Sequence, residues 1–296
     1  VGLSLLIGCG GRGCGSPEDS GTPVVIDSAD TSVSDTLSDP LSMPAEPTLD
    51  PASFNSSETC QQCHPTHHDE WSGSNHAYAM HDPVFRALVE VRQEDLGGEE
   101  DLFCTQCHSA IGTRGGDVVP GFAFEDLLDI TSEGVTCESC HKIASIERPY
   151  NAGHVLDESG PIRGPIPDPE PSSFHTEVEY SALFEESELC GTCHDVIETS
   201  GLPLERPYAE WLTSPAAEDG QNCQSCHMPA STGYAATNTT TERTVHSHRF
   251  VGVDVPLDGF VTDERAEEIQ AQVTALLESA ATLSLIHISE PTRRPI

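Results

Sequence analysis

The stretch CQQCHPTHHDEWSGSNHAYAMH, Cys60 to His81, holds five histidines: His64, His67, His68, His76 and His81. His64 closes a C-x-x-C-H motif, and the same motif recurs four more times. The cysteine pairs are Cys60/Cys63, Cys104/Cys107, Cys137/Cys140, Cys190/Cys193 and Cys223/Cys226. Histidine follows each pair as His64, His108, His141, His194 and His227. With 14 histidines in 296 residues, five such successes by chance have odds on the order of 10⁻⁷.

The spacing has a chemical reading. Two thiols three residues apart share one helical turn and can reach both vinyl groups of one haem. Thioether bonds then fix the porphyrin, and the next residue gives its imidazole to iron. Zinc ribbons need the C-x-x-C pairs but not the histidine, and a redox dithiol needs one pair rather than five. Five covalently bound c-type haems are therefore expected, with the ten cysteines as attachment points and the five histidines as proximal ligands. Attachment of this kind takes place outside the bacterial cytoplasm. At about one motif per 35 residues, the haems must pack against one another and supply much of the apolar core.

Composition agrees with this. The formal net charge is -36, aromatics make up only 5% of residues, and Lys142 is the sole lysine. No basic face is available for phosphates, so nucleic acid is excluded as a partner. Other redox proteins with basic docking faces fit better.

The termini read differently from the middle. VGLSLLIGC ends in Leu6-Ile7-Gly8-Cys9, which resembles the tail of a lipoprotein signal peptide with lipid on Cys9. Gly10 after that cysteine favours the outer membrane, facing the periplasm or the cell surface. Residues 1–8 are thus expected to be partial signal peptide. Residues 9–53 are read as the lipid anchor and a disordered acidic tether, since Gly15 to Ser53 has no aromatic and no basic residue. Residues 54–260 would form the pentahaem domain, and 261–282 an amphipathic helix that starts a truncated C-terminal region. Residues 283–296 contain LSLIHISEPTR, which resembles a translated sequencing adapter, and His287 within it is set aside.

The fold class expected is mainly α with much irregular loop, a compact multihaem cytochrome c fold organised around packed haems. Asp82 should cap a helix beginning at Pro83. Glu177 to Glu188 reads as a helix leading into the fourth motif, and Asp263 to Leu277 as an amphipathic helix. Gly160 to Pro171 reads as loop, and no strand pattern stands out. Cys104 to Cys137 and Cys190 to Cys223 are equally spaced, which suggests two related two-haem units with the Cys60 haem added ahead.

Each iron has a sixth position. Met43 lies in the tether and Met228 beside a proximal ligand, leaving Met80, so histidine is expected at most irons. CHPTHHDEWSGSNHA, GPIPDPEPSSFHTEVEYSALFEESELCGTCHD and YAEWLTSP…CQSCHMP…HSHRFVGV resemble the cytochrome c554-type multihaem cytochromes, over about Cys60 to Val253. The resemblance implies that His76, in W-x-x-S-x-H, is a distal ligand to a haem other than its own. It implies the same of His175 and suggests His248; His154 follows as a candidate, then His246 and His81. The sequence has five motifs where the namesake has four haems, so the pairing of distal histidines with haems stays open.

Three functions are compatible. An electron carrier built on mostly bis-histidine haems needs no substrate motif and is favoured over an enzyme. A multihaem oxidoreductase acting on nitrogen or sulfur compounds would need one open iron and nearby cationic groups, for which Arg148, Arg163, Arg206 and Arg249 are the candidates. A subunit of a haem filament is the third. Oligomeric state, potentials and direction of electron flow are not encoded legibly.

Overall fold

Apart from two longer helices, at Pro83–Leu96 and Asp263–Ala280, helices among the described residues are short, and many begin at the motifs or beside them. The computed structural model describes residues 47–280; Cys9, the tether before residue 47 and the adapter-like tail lie outside the described residues. Ser56 accepts the Glu58 N–H and caps α1 (Ser57–Cys60). Pro65, whose ring presets a helical φ, starts α2 (Pro65–Ser72) directly after His64. Ser74 caps α3 (Asn75–Tyr78) by accepting from Ala77. Asp82 caps α4 (Pro83–Leu96), as expected, and Gly97 ends it in the left-handed conformation with φ 63°.

The second motif lies wholly on α5 (Asp101–His108), which turns at Ser109 into α6 (Ala110–Arg114). After α7 (Asp129–Ser132), Thr136 and Ser139 form a reciprocal capping box at α8 (Cys137–His141), the third motif. Strand β1 (Ile143–Ile146) pairs antiparallel with β2 (His154–Leu156), and β3 (Ile162–Gly164) pairs parallel with β4 (Val178–Tyr180). The fourth motif starts on α9 (Ser187–Gly191). It is followed by β5 (Val196–Ile197) against β6 (Pro203–Glu205), then α10 (Pro207–Leu212) and α11 (Pro215–Glu218). The fifth motif is α12 (Cys223–His227). A hairpin of β7 (Ala230–Tyr234) and β8 (Glu242–His246) and the long α13 (Asp263–Ala280) complete the described chain. The mainly helical, loop-rich class is the one the sequence implied.

Two local expectations fail. Glu177 to Glu188 is not a helix: it divides into β4, a 3-10 turn at Ala182–Glu185 and the start of α9. A continuous helix would crowd its five glutamates, whereas pairing with β3 brings Glu179 Oε2 3.2 Å from Arg163 Nε. Strands also exist, one of them (β3) inside the expected loop, but at two to five residues each they are too short to display alternation.

The repeat is real but runs differently. Ser57 Oγ accepts the Cys137 N–H at 3.4 Å, and Ser187 Oγ accepts the Cys223 N–H at 3.0 Å. Trp71 Nε1 donates to Val135 O at 2.8 Å, and Trp211 Nε1 to Gln221 O at 2.9 Å, each carbonyl two residues before a motif. Ser74 and Ser214 cap matching short helices, and Gly134 and Gly220 take φ 77° and 73°. The SETC…CESCH unit therefore corresponds to SELC…CQSCH. The Cys104 motif, not the Cys60 motif, is the addition, inserted between α3 and Gly134. His76 has Ala216 as its counterpart.

Apolar packing is modest. One cluster joins Met80, Phe85, Val89, Val118, Phe122 and Phe124; another joins Phe54, Ala110, Ile111, Ile143 and Leu156. Met80, 2% exposed, is thereby committed to packing.

Candidate haem-binding site

Four of the five motif histidines share one local arrangement. His64 Nδ1 meets Ala235 O at 2.6 Å, His108 Nδ1 meets Ala79 O at 2.8 Å, His141 Nδ1 meets Arg163 O at 2.5 Å and His227 Nδ1 meets Val251 O at 2.7 Å. A carbonyl only accepts, so each Nδ1 carries the proton and each Nε2 keeps its lone pair. This is how a metal-binding imidazole is oriented from behind. The acceptors come from elsewhere in the chain, Arg163 from β3 and Ala79 from the end of α3, while the β7–β8 turn reaches the first motif, where the Thr237 N–H also donates to Cys63 O at 2.8 Å. Sequence reading missed these partners because a backbone carbonyl has no residue signature.

The structure then brings three further histidines opposite three of the five motif histidines, two of them from this set of four and the third His194. His64 and His175 have ring centroids 6.3 Å apart, His141 and His248 6.3 Å, and His76 and His194 6.2 Å. Two metal–imidazole bonds of about 2 Å, plus the half-width of each ring, set such centroids roughly 6 Å apart. Direct contact would bring the rings much closer: Phe85 lies on His108 at 3.7 Å with the planes 7° apart.

Each opposing histidine is held by its own surroundings. Ser74 caps the helix of His76, the Val135 N–H bonds His76 O at 3.0 Å, and Phe250 packs on the ring at 4.2 Å. The His248 N–H donates to Glu70 Oε2 at 2.8 Å, and its Nδ1 meets His246 O at 2.9 Å. Burial, then neighbouring imidazoles, lowers His248 to about 3; burial, then His194, lowers His76 to about 4. Both are neutral near pH 7, the form that ligates. His175 is fixed through Ser172, which takes its N–H on Oγ at 3.2 Å and donates its own to His175 O at 3.0 Å.

Of the remaining histidines, His67 also lies 6.2 Å from His64, but edge-on at 77° and only three residues away on the same chain turn, whereas the opposed rings of His175 and His64 are 21° apart. His154 is buried with both ring nitrogens unpartnered. His67 sets its edge on His248 at 4.7 Å, His68 Nε2 lies 3.4 Å from Glu58, and His81 lies beside Phe260 at 5.4 Å. His246 Nδ1 meets Met228 O at 2.9 Å.

The ten motif cysteines are unbridged. Their thiols touch across motifs: Cys60 with Cys137, Cys107 with Cys193, and Cys190 with Cys223. Burial, followed by Cys193 and Cys137, pushes Cys140 up to about 12. Contact with Cys190 instead lowers Cys223 to about 6, so the motif thiols are not shifted in one direction. Among the described residues, no group of three or more His, Cys, Asp or Glu is arranged to hold a bare metal ion. The residues thus fit haem: paired half-exposed thiols, oriented imidazoles, opposing imidazoles at iron-spanning distance and a small apolar core.

Residues 59–142 match the family described as cytochrome c554 and c-prime. Over this stretch the chain is similar to cytochrome c554. Comparison with curated proteins and with solved structures gave no match. The c554-type match covers the first three motifs and His76. The likeness supports covalently bound c-type haem and a c-type cytochrome's electron transfer.

Proposed function

We propose that the protein is a pentahaem electron relay. The observation that carries this is the set of three opposed imidazole pairs at 6.2–6.3 Å, each joining one motif histidine to a histidine distant in sequence. On this reading Cys60, Cys63, His64 and His175 hold one haem. Cys137, Cys140, His141 and His248 hold another, and Cys190, Cys193, His194 and His76 a third. The second and fifth haems take Cys104, Cys107 and His108, and Cys223, Cys226 and His227. Haem supplies reversible one-electron chemistry at iron. The chain's own residues fix axial nitrogens, exclude water from the rings and set the spacing.

The thiol contacts support an order. The first motif neighbours the third through Cys60 and Cys137, and the fourth neighbours both the second and the fifth through Cys193 and Cys190. The Cys140 thiol also feels the Cys193 thiol, which joins the third motif to the fourth. The relay is therefore branched at the fourth haem. Cys226 is exposed, which makes the fifth haem the natural docking end. With a net charge of -36, a redox partner would present a basic face.

The oxidoreductase reading is weaker on the same grounds. Arg163 is bound to Asp157 and Glu179, Arg206 to Asp195, and Arg249 to Glu70 and Glu268, so these three cations are already neutralised. No helix among the described residues is long and apolar enough to cross a membrane. Export and a lipid anchor at Cys9 complete the proposal. Intact mass and haem staining of the exported, denatured protein test it: five haems per chain are expected, and a colourless band would refute it.

A further inference from the structure

His154 is 4% exposed, and neither ring nitrogen has a hydrogen-bond partner. An imidazole so buried loses its hydration on both nitrogens, and the neighbouring Cys193 thiol is at best a weak partner for one of them, so a ligand from outside the chain would satisfy the ring better. The backbone that delivers it is strained. Asn151 and Ala152, neither a glycine, take φ 47° and 51°, consecutive left-handed residues that cost energy unless surroundings enforce them.

The enforcement is dense. The Asn151 N–H donates to Asp195 O at 3.0 Å, and its side-chain amide exchanges bonds with Ile197 at 2.8 and 2.9 Å. The Ala152 N–H donates to Thr192 O at 2.6 Å, while the Arg114 guanidinium donates to Ala152 O. Apart from Arg148 of the same connection, which donates to Asn151 O at 3.1 Å, these partners come from α6, which directly follows the second motif, and from the fourth motif with the residues just after it. His154 is thus locked between the second and fourth motifs.

Its surroundings narrow the ligand. The ring approaches the Cys193 thiol, which also touches the Cys107 thiol and lies near His108. The fourth-motif iron, on the pairing above, already has His194 and His76. The first and third likewise have two imidazoles each. The fifth motif is carried against Ser187 and Cys190, and no contact of His154 among the described residues reaches it. We infer that His154 is the sixth ligand of the iron carried on Cys104, Cys107 and His108. This rests on the pentahaem reading, and it closes the second haem to small molecules.

The test is carbon monoxide binding to the reduced full-length holoprotein, together with the high-spin haem count of the oxidised form. Haem content is measured first, so a missing haem counts against the relay and not against His154. Wild type should bind at most one equivalent of carbon monoxide per chain, at the fifth haem. His154→Ala should gain one further equivalent and one high-spin haem, and free imidazole should reverse both changes. His154→Met should keep that haem low-spin and raise its potential. Two equivalents in wild type, or unchanged counts in His154→Ala, would overturn the assignment. The wild-type count stands if the variants fail to load haem.

Discussion

At the scale of single residues, the chemistry was legible and the partnerships were not. C-x-x-C-H names its own cofactor, so His64 or His227 could be read without any fold. His76 and His175 stood out only through resemblance to a family, and nothing in the sequence joined His175 to His64. That pairing depends on a fold that brings residues 111 positions apart to 6.3 Å. Histidines of the opening stretch now divide by surroundings: His64 faces His175, His76 faces His194, His67 packs on His248, and His81 packs on Phe260. Replacing His175 with Ala should convert one low-spin haem to high-spin, seen by electron paramagnetic resonance, whereas His81→Ala should leave the spin count unchanged. A converted spin state in the second variant and none in the first would exchange their roles.

Helix starts were legible at the element scale because caps are local: Asp82 with Pro83 announces α4, and the acidic start at Asp263 announces α13. The short strands were not, because each ladder is held by its partner and not by its own pattern. The repeat misled for a similar reason. Equal spacing between Cys104 and Cys137 and between Cys190 and Cys223 is coincidental, since a motif-bearing insertion in one unit matches a loop in the other. The serine and tryptophan hydrogen bonds identify the true counterparts. Their turn glycines give a graded prediction. Gly220 takes φ 73° with open space around it, while a Cβ on Gly134 at φ 77° would stand 2.6 Å from His76 O. Gly220→Ala should cost about 1 kcal/mol from backbone strain alone. Gly134→Ala should cost roughly 3 kcal/mol, since the clash adds to that strain. Denaturant unfolding of the two variants measures the difference, and equal losses would contradict the assigned close approach.

Across the whole molecule, low aromatic content and a small pair of apolar clusters make sense when porphyrins complete the interior. Class and cofactor could be inferred from motif density, while the proposed branched order could not, because it rests on which motif thiols neighbour one another. The acidity acts at longer range. Electron exchange with a basic redox partner should slow steeply as ionic strength rises from 0.01 to 0.15 M, since the screening length falls from about 30 to 8 Å. Stopped-flow rates at several salt concentrations check this, and a salt-independent rate would remove electrostatic docking from the account. The most direct test of the central claim is quantitative electron paramagnetic resonance of the oxidised full-length protein. Three opposed imidazole pairs require at least three low-spin haems per chain, and His154 makes four. Fewer than three low-spin haems would contradict the axial pairing on which the relay rests.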